Sequence, residues 1–194
     1  FYASQTVYDH AEYNIYLSQC LTTMGKSQTG SYPYKQGWEF LNINRHPQWR
    51  RHFYDLGANI QKMNEIAMEK GNYNAVLIGR TVMLMSTLFT TDAFGDMPRS
   101  EVYQSASPKY DTQEEVYAWM MQEADELIKL YNDPAWVDAK SNLLISEKMD
   151  RIYAGDMDKW ELFCKAIRAR LWLRKLPNWD NTSANCQKII AMVD

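Results

Sequence analysis

The chain has 194 residues, 46% of them hydrophobic, and sets 21 Lys+Arg against 24 Asp+Glu for a formal charge of −3. That length fits one ordinary core, and the near-neutral balance offers no basic stripe for a phosphate backbone, so nucleic acid is not an expected partner. The most apolar stretch, Ala75 to Phe89, is cut by Gly79, Arg80, Thr81, Ser86 and Thr87 and falls short of the roughly 18 apolar residues of a membrane span.

The sequence opens at Phe1 without a start methionine or an apolar signal run, so any targeting segment is expected to have been removed or to lie outside it. Only 8 Gly and 6 Pro, with apolar residues spaced by three and four, predict an all-α chain. A first helix is expected from about Gln5 to Leu21, on Val7, Ala11 and Ile15. Gly30 to Phe40 then reads as a loop, because Gly and Pro punctuate it. Its rings, Tyr32, Tyr34 and Trp38, serve one of two ends. Either Trp38 and Phe40 anchor the loop to the domain, or the rings stand exposed, where aromatic faces stack on sugar rings while flanking Lys35, Gln36 and Glu39 meet hydroxyls. Exposed rings also bind proteins. Tyr32, Tyr34 and Trp38 are the expected ligand-binding residues.

Trp49, Phe53, Leu56, Ile60, Met63 and Ala67 step by 4, 3, 4, 3 and 4, which puts them on one face of a helix from about Pro47 to Lys70. Pro47 suits its first turn and Gly71 its end. A second helix, Tyr73 to Thr90, carries Val76, Leu77, Ile78, Val82, Met83, Leu84, Met85, Leu88 and Phe89 on more than one side and should be sandwiched between neighbours. After the turn-rich segment Asp92 to Pro108, capping-box spacing occurs at both 111/114 and 112/115. Val116, Met120, Ala124, Leu127 and Tyr131 mark the third amphipathic helix. A fourth opens on Asp156 and Asp158, buries Trp160, Phe163, Cys164, Ile167 and Leu171, and closes on basic residues that complement the helix dipole. Thr182 or Ser183 can cap a fifth, which runs on to the last residue, so the chain is expected to be part of a longer protein. The short-linked pair 47–90 has the length of a tetratricopeptide-like unit, and 112–175 makes a second if 132–155 loops out.

Catalytic signatures are weak. Cys20, Cys164 and Cys186 are widely spaced and read as free thiols; His46 and His52 lie six apart beside Arg50 and Arg51, and His10 is alone. Asp156 and Asp158 resemble the start of a calcium loop, but Glu161 stands where its glycine belongs and Ile167 where its closing carboxylate belongs, so helix capping explains them better. Asn181-Thr182-Ser183 matches a glycosylation acceptor, for which capping is again a sufficient account. The acid pairs Glu114/Glu115 and Glu123/Asp125 are expected on a solvated helix face. No metal, cofactor or catalytic residue is predicted.

Two stretches nevertheless carry a pattern, Thr91 to Tyr131 and Asp150 to Lys175. Asp92, Gly95, Asp96, Pro98 and Glu101 lead to Pro108 and the run Tyr110-Asp111-Thr112-Gln113-Glu114-Glu115-Val116-Tyr117. Asp150, Tyr153, Gly155, Asp156, Lys159, Trp160, Phe163, Arg170 and Arg174 follow in order. In these positions, and in the Ala58-Asn59 step of the preceding helix, the chain resembles the SusD-like (RagB/SusD) nutrient-binding lipoproteins of Bacteroidetes outer membranes. Ala166-Ile167-Arg168 in place of the family's Asn-Ser-Leu points to a divergent branch, and Cys20 does not match the lipid-attachment cysteine.

The resemblance implies an all-α stack of tetratricopeptide-like helix pairs, with residues 1–194 as one helical domain forming the N-terminal part of a longer protein. It implies a surface lipoprotein of the outer membrane, anchored by a lipid outside this chain, that binds glycan or another nutrient without catalysis. A SusC-like TonB-dependent transporter is its implied partner. The motif residues themselves look structural. The alternative from another class is a helical-repeat scaffold whose partner is only a polypeptide.

Overall fold

The computed structural model describes residues 47–175 and 183–191; the expected helix from Gln5 to Leu21, the loop 30–40, His10, Cys20, His46 and Asn181-Thr182 lie outside them. The chain divides into two compact units, 1–57 and 58–194. In the first, α1 (Pro47–Arg50) is followed by a π-helical segment, Arg51–Gly57. Trp49 and Phe53 are buried with ring centroids 4.7 Å apart, and buried His52 meets Phe53 edge-on at 4.6 Å. Burial lowers the His52 pKa to about 4, so this imidazole is a neutral packing group.

The second unit consists of α2 (Ala58–Glu69), α3 (Tyr73–Phe94), α4 (Gln113–Tyr131), the single turn α5 (Pro134–Val137), α6 (Met157–Lys175) and α7 (Ser183–Ile190). The described residues form no strand, and the fold is all-α as expected. One expectation fails in detail. The stripe counted from Trp49 does not stay buried: Met63 is 40% exposed, while Ala67 is covered. The regular helix is also interrupted, because Arg51–Gly57 is π-helical and its i→i+5 bonds put more residues in each turn than an α-helical count assumes.

Between α2 and α3 the chain turns at Gly71, whose φ of 68° lies in the left-handed region. Asn72 N–H donates to Ala67 O at 2.8 Å and Gly71 N–H to Met68 O at 3.0 Å, which is a Schellman close that satisfies two orphan carbonyls. The chain thus doubles back, and α3 packs on α2, α4 and α6.

Being covered on several sides explains what α3 buries: Val76, Leu77, Leu84 and Leu88, but also Thr81, Thr87, Thr90 and Thr91. Sunken hydroxyls need partners, and three find them one turn back, Thr81 on Leu77 O (2.8 Å), Thr87 on Met83 O (2.8 Å) and Thr90 on Ser86 O (2.7 Å). Thr81 also meets the Tyr131 hydroxyl at 2.9 Å, tying α3 to α4. Phe89, expected on a covered side of its helix, is 38% exposed, with the Arg170 guanidinium 5.4 Å from its ring centroid.

On α4 the predicted face Val116, Met120, Ala124, Leu127 and Tyr131 is buried throughout, against α6 residues Trp160, Cys164, Ile167 and Leu171. Each fully buried aliphatic side chain of this set contributes about 1.5–3 kcal/mol. Phe163 is only half-buried, flanking the Trp160 ring at 6.0 Å. Residues 132–156 are the looped-out insert, carrying α5, as the second helix pair required.

Of the two capping boxes the sequence allowed, the fold uses 112/115: the Thr112 hydroxyl accepts from Glu115 N–H and the Glu115 carboxylate from Thr112 N–H. Asp156 caps α6 by accepting from Lys159 N–H at 3.1 Å, in keeping with the capping account.

Candidate functional site

The motif acids do structural work, and two of them are buried. Asp111 closes the turn ahead of α4: its Oδ2 accepts from Arg99 N–H (3.0 Å) and Ser100 N–H (2.7 Å), and its Oδ1 from the Ser100 hydroxyl (2.8 Å). Burial works to raise its pKa, but the bonds from Ser100 and Arg99 and the nearby Lys109 outweigh it and hold the carboxyl below the usual range. Asp150 does the same for the turn that enters α6, accepting from Ile152, Tyr153 and Gly155 N–H and from the Trp160 indole. Its pKa is likewise lowered, hydrogen bonds from Trp160, Gly155, Ile152 and Tyr153 overcoming the effect of burial.

Glu123 departs from expectation. It is not a solvated acid, because Arg80 of α3 clasps it with Nε at 2.7 Å and Nη2 at 2.9 Å, and reaches Glu126 as well at 2.9 Å. Asp125 pairs with Arg168 at 3.1 Å. Glu114, Glu115 and Asp125 are exposed as expected; Glu123 alone of the four is drawn into a clasp between helices.

Of the expected ligand residues, Tyr32, Tyr34 and Trp38 lie outside the described residues. Within them, an open depression of about 580 Å³ runs along α6, lined by Ala166, Ala169, Arg170, Leu173 and Arg174. Arg170 links it to the Phe89 ring of α3. Arg174 binds Asp92 Oδ2 at 3.1 Å, and the other Asp92 oxygen accepts a short hydrogen bond from the Tyr117 hydroxyl of α4. Burial and that carboxylate both push the Tyr117 pKa up, so it remains a donor. The lining of the depression mixes the apolar side chains of Ala166, Ala169 and Leu173 with the guanidinium groups of Arg170 and Arg174.

Sequence reasoning placed Asp92, Tyr117, Arg170 and Arg174 among its motif positions but gave them no common place. Nothing in their spacing signals that three helices bring them together.

Cys164 is a free thiol, and burial pushes it up to about 12, leaving it protonated and packed. Among the described residues no group of three or more His, Cys, Asp or Glu is arranged to hold a metal ion, and no helix is long and apolar enough to cross a membrane.

A family model described as SusD-like_2, "Starch-binding associating with outer membrane", matches residues 2–194. Among solved structures, a SusD/RagB family protein of Bacteroides thetaiotaomicron is 26% identical, with a TM-score of 0.61 over 74% of this chain and 29% of its own. A chitin-binding protein, 24% identical, superposes with a TM-score of 0.58 over 77% of this chain and 31% of its own. A SusD homolog of Bacteroides uniformis, also 24% identical, gives 0.56 over 79% and 28%. The latter two likenesses speak to the fold alone. This chain spans less than a third of the length of each of these three structures. A search of curated proteins finds no match.

Proposed function

The chain belongs to the SusD-like family, and from that premise we propose that it is the N-terminal helical part of a non-catalytic protein that captures oligosaccharide at the outer-membrane surface and delivers it to a SusC-like TonB-dependent transporter. The observation that carries this reading is the family match along 2–194, to a model described as starch-binding and as associating with the outer membrane. The geometry agrees with capture: α2 to α6 form a packed scaffold in which buried acids such as Asp111 and Asp150 hold turns, and exposed groups at its surface include the Tyr110 ring and the Arg174 guanidinium. Groups of this kind bind sugars.

In this reading 1–194 forms one helical domain of a longer, lipid-anchored protein, and Tyr32, Tyr34 and Trp38 are stacking platforms. Isothermal titration of the full-length protein against maltoheptaose, chitohexaose and xylohexaose tests it. Binding to at least one, weakened about tenfold by Trp38→Ala, is the expected result. Blank titrations throughout, with a transporter recovered by pull-down, would favour a scaffold that binds only polypeptide.

A further inference from the structure

Helix α6 is apolar on two opposite sides. One side carries Trp160, Cys164, Ile167 and Leu171 into the core. Leu162, Ala166, Ala169 and Leu173 follow one another at steps of 4, 3 and 4, so at about 3.6 residues per turn they form a second stripe that faces away from the first. Leu162 is 51% exposed, Leu173 is 49% exposed and Ala166 is exposed as well; Ala169 alone of the four is covered. The open depression on α6 lies along this stripe, since Ala166, Ala169 and Leu173 line it.

The charges beside the stripe are held to its flanks. Arg170 lies over the Phe89 ring and Arg174 binds Asp92, both of α3, while Lys165 pairs with Glu161 at 3.2 Å. The middle is left to two alanines, which let a second helix backbone come close, with a leucine on either side to interdigitate. A stack of helix pairs must end on a polar outer face, because a pair with an apolar outer face needs a neighbour to cover it. Helix α3 obtains that cover from α2, α4 and α6. The outer stripe of α6 is not polar, so the pair of α4 and α6 is not built as an end.

We propose that this stripe, together with the exposed Ile190 of α7, is the seat of a further helix of the same protein, supplied by chain beyond residue 194 and paired with α7. The proposal rests on the reading of 1–194 as the N-terminal part of a longer protein. Three observations select this occupant. The matched segment makes up 29%, 31% and 28% of the three solved relatives, so more than two thirds of each has to be placed elsewhere. Helix α7 already packs on α6, and consecutive helices joined by short turns stay neighbours, which brings the next helix to this face. A sugar would find neither donor nor acceptor among the four side chains of the stripe.

The test uses the purified full-length protein with the photo-crosslinking residue p-benzoylphenylalanine placed at Leu162 or at Leu173, a replacement that keeps an apolar side chain. After irradiation, mass spectrometry is expected to map intramolecular cross-links from both positions to one segment beyond residue 194. Cross-links that run to 1–46, that join two copies, that form with the transporter alone, or that do not form at all would each overturn the seat. A second variant reads the same face without a probe. Leu162→Ser combined with Leu173→Ser should lower the melting temperature of the full-length protein by about 2 °C or more, whereas an unchanged value would show that both leucines stay in water. The intact mass of the native protein decides the premise separately. A value near 22.8 kDa removes the longer protein and its helix together, while a larger mass without the cross-links removes the seat alone.

Discussion

The Trp160 indole donates to Asp150 Oδ2 at 2.7 Å, joining the core of α6 to the turn that delivers it. The same carboxylate holds three backbone N–H groups, from Ile152, Tyr153 and Gly155. Every partner is a donor, which an amide in that place could not serve on both sides. Asp150→Asn should therefore cost about 2–3 kcal/mol in urea denaturation, and Trp160→Phe about 1–2 kcal/mol. An unchanged midpoint in either variant would show that the turn does not depend on this carboxylate.

Gly155 and Gly95 both sit at positive φ, 81° and 77°, but in different surroundings. A Cβ at Gly155 would stand 2.0 Å from the Ile145 carbonyl oxygen, whereas one at Gly95 meets nothing within 4 Å. Gly95→Ala is expected to cost only the backbone strain, about 1–2 kcal/mol. Gly155→Ala adds a backbone collision and should cost about 3 kcal/mol or more. Equal melting temperatures for the two variants would contradict this.

Arg80 bridges α3 to α4 through a two-pronged contact with Glu123 and a third bond to Glu126. A lysine keeps the charge and loses the fork. Arg80→Lys should lower stability by about 1–2 kcal/mol, and the loss should vanish when Glu123 and Glu126 are already glutamine. A double-mutant cycle reads the coupling directly.

Acid should act on this protein in two windows. His52 has a pKa lowered from 6.5 to about 4 by burial, so between those values the unfolded chain takes up a proton that the native one refuses. Stability attributable to His52 is therefore complete above pH 6.5 and declines by about 3 kcal/mol as pH falls to 4. His52→Phe should flatten that slope in denaturation curves taken across the window.

Asp111 and Asp150 act lower down. Their folded-state pKa values are depressed, so their contribution is in place above about pH 4 and is lost as pH falls through the folded values. In the double variant Asp111→Asn with Asp150→Asn, the steep acid limb below pH 4 should become shallow while the His52 window persists. A limb of unchanged steepness would place the acid sensitivity elsewhere.

Much of this architecture is written in residue order. Period and punctuation located α3, α4 and α6 and the buried face of α4, because an amphipathic helix carries its own environment in its spacing. The ordered run from Asp92 to Tyr117 and from Asp150 to Arg174 carried the family, since turn geometry demands particular residues at fixed offsets. Spacing could not choose between Asp111 and Thr112 as the cap, because both stand three residues before a glutamate. The tertiary fold decided it by burying Asp111 against Arg99 and Ser100, which left Thr112 to begin the helix. Tertiary structure alone clasped Glu123 with Arg80, set Phe89 beside Arg170, and interrupted the regular helix after Trp49 with a π segment. A sequence period describes one helix against an average surrounding, whereas charge pairing and ring stacking depend on which distant residues arrive at the same place.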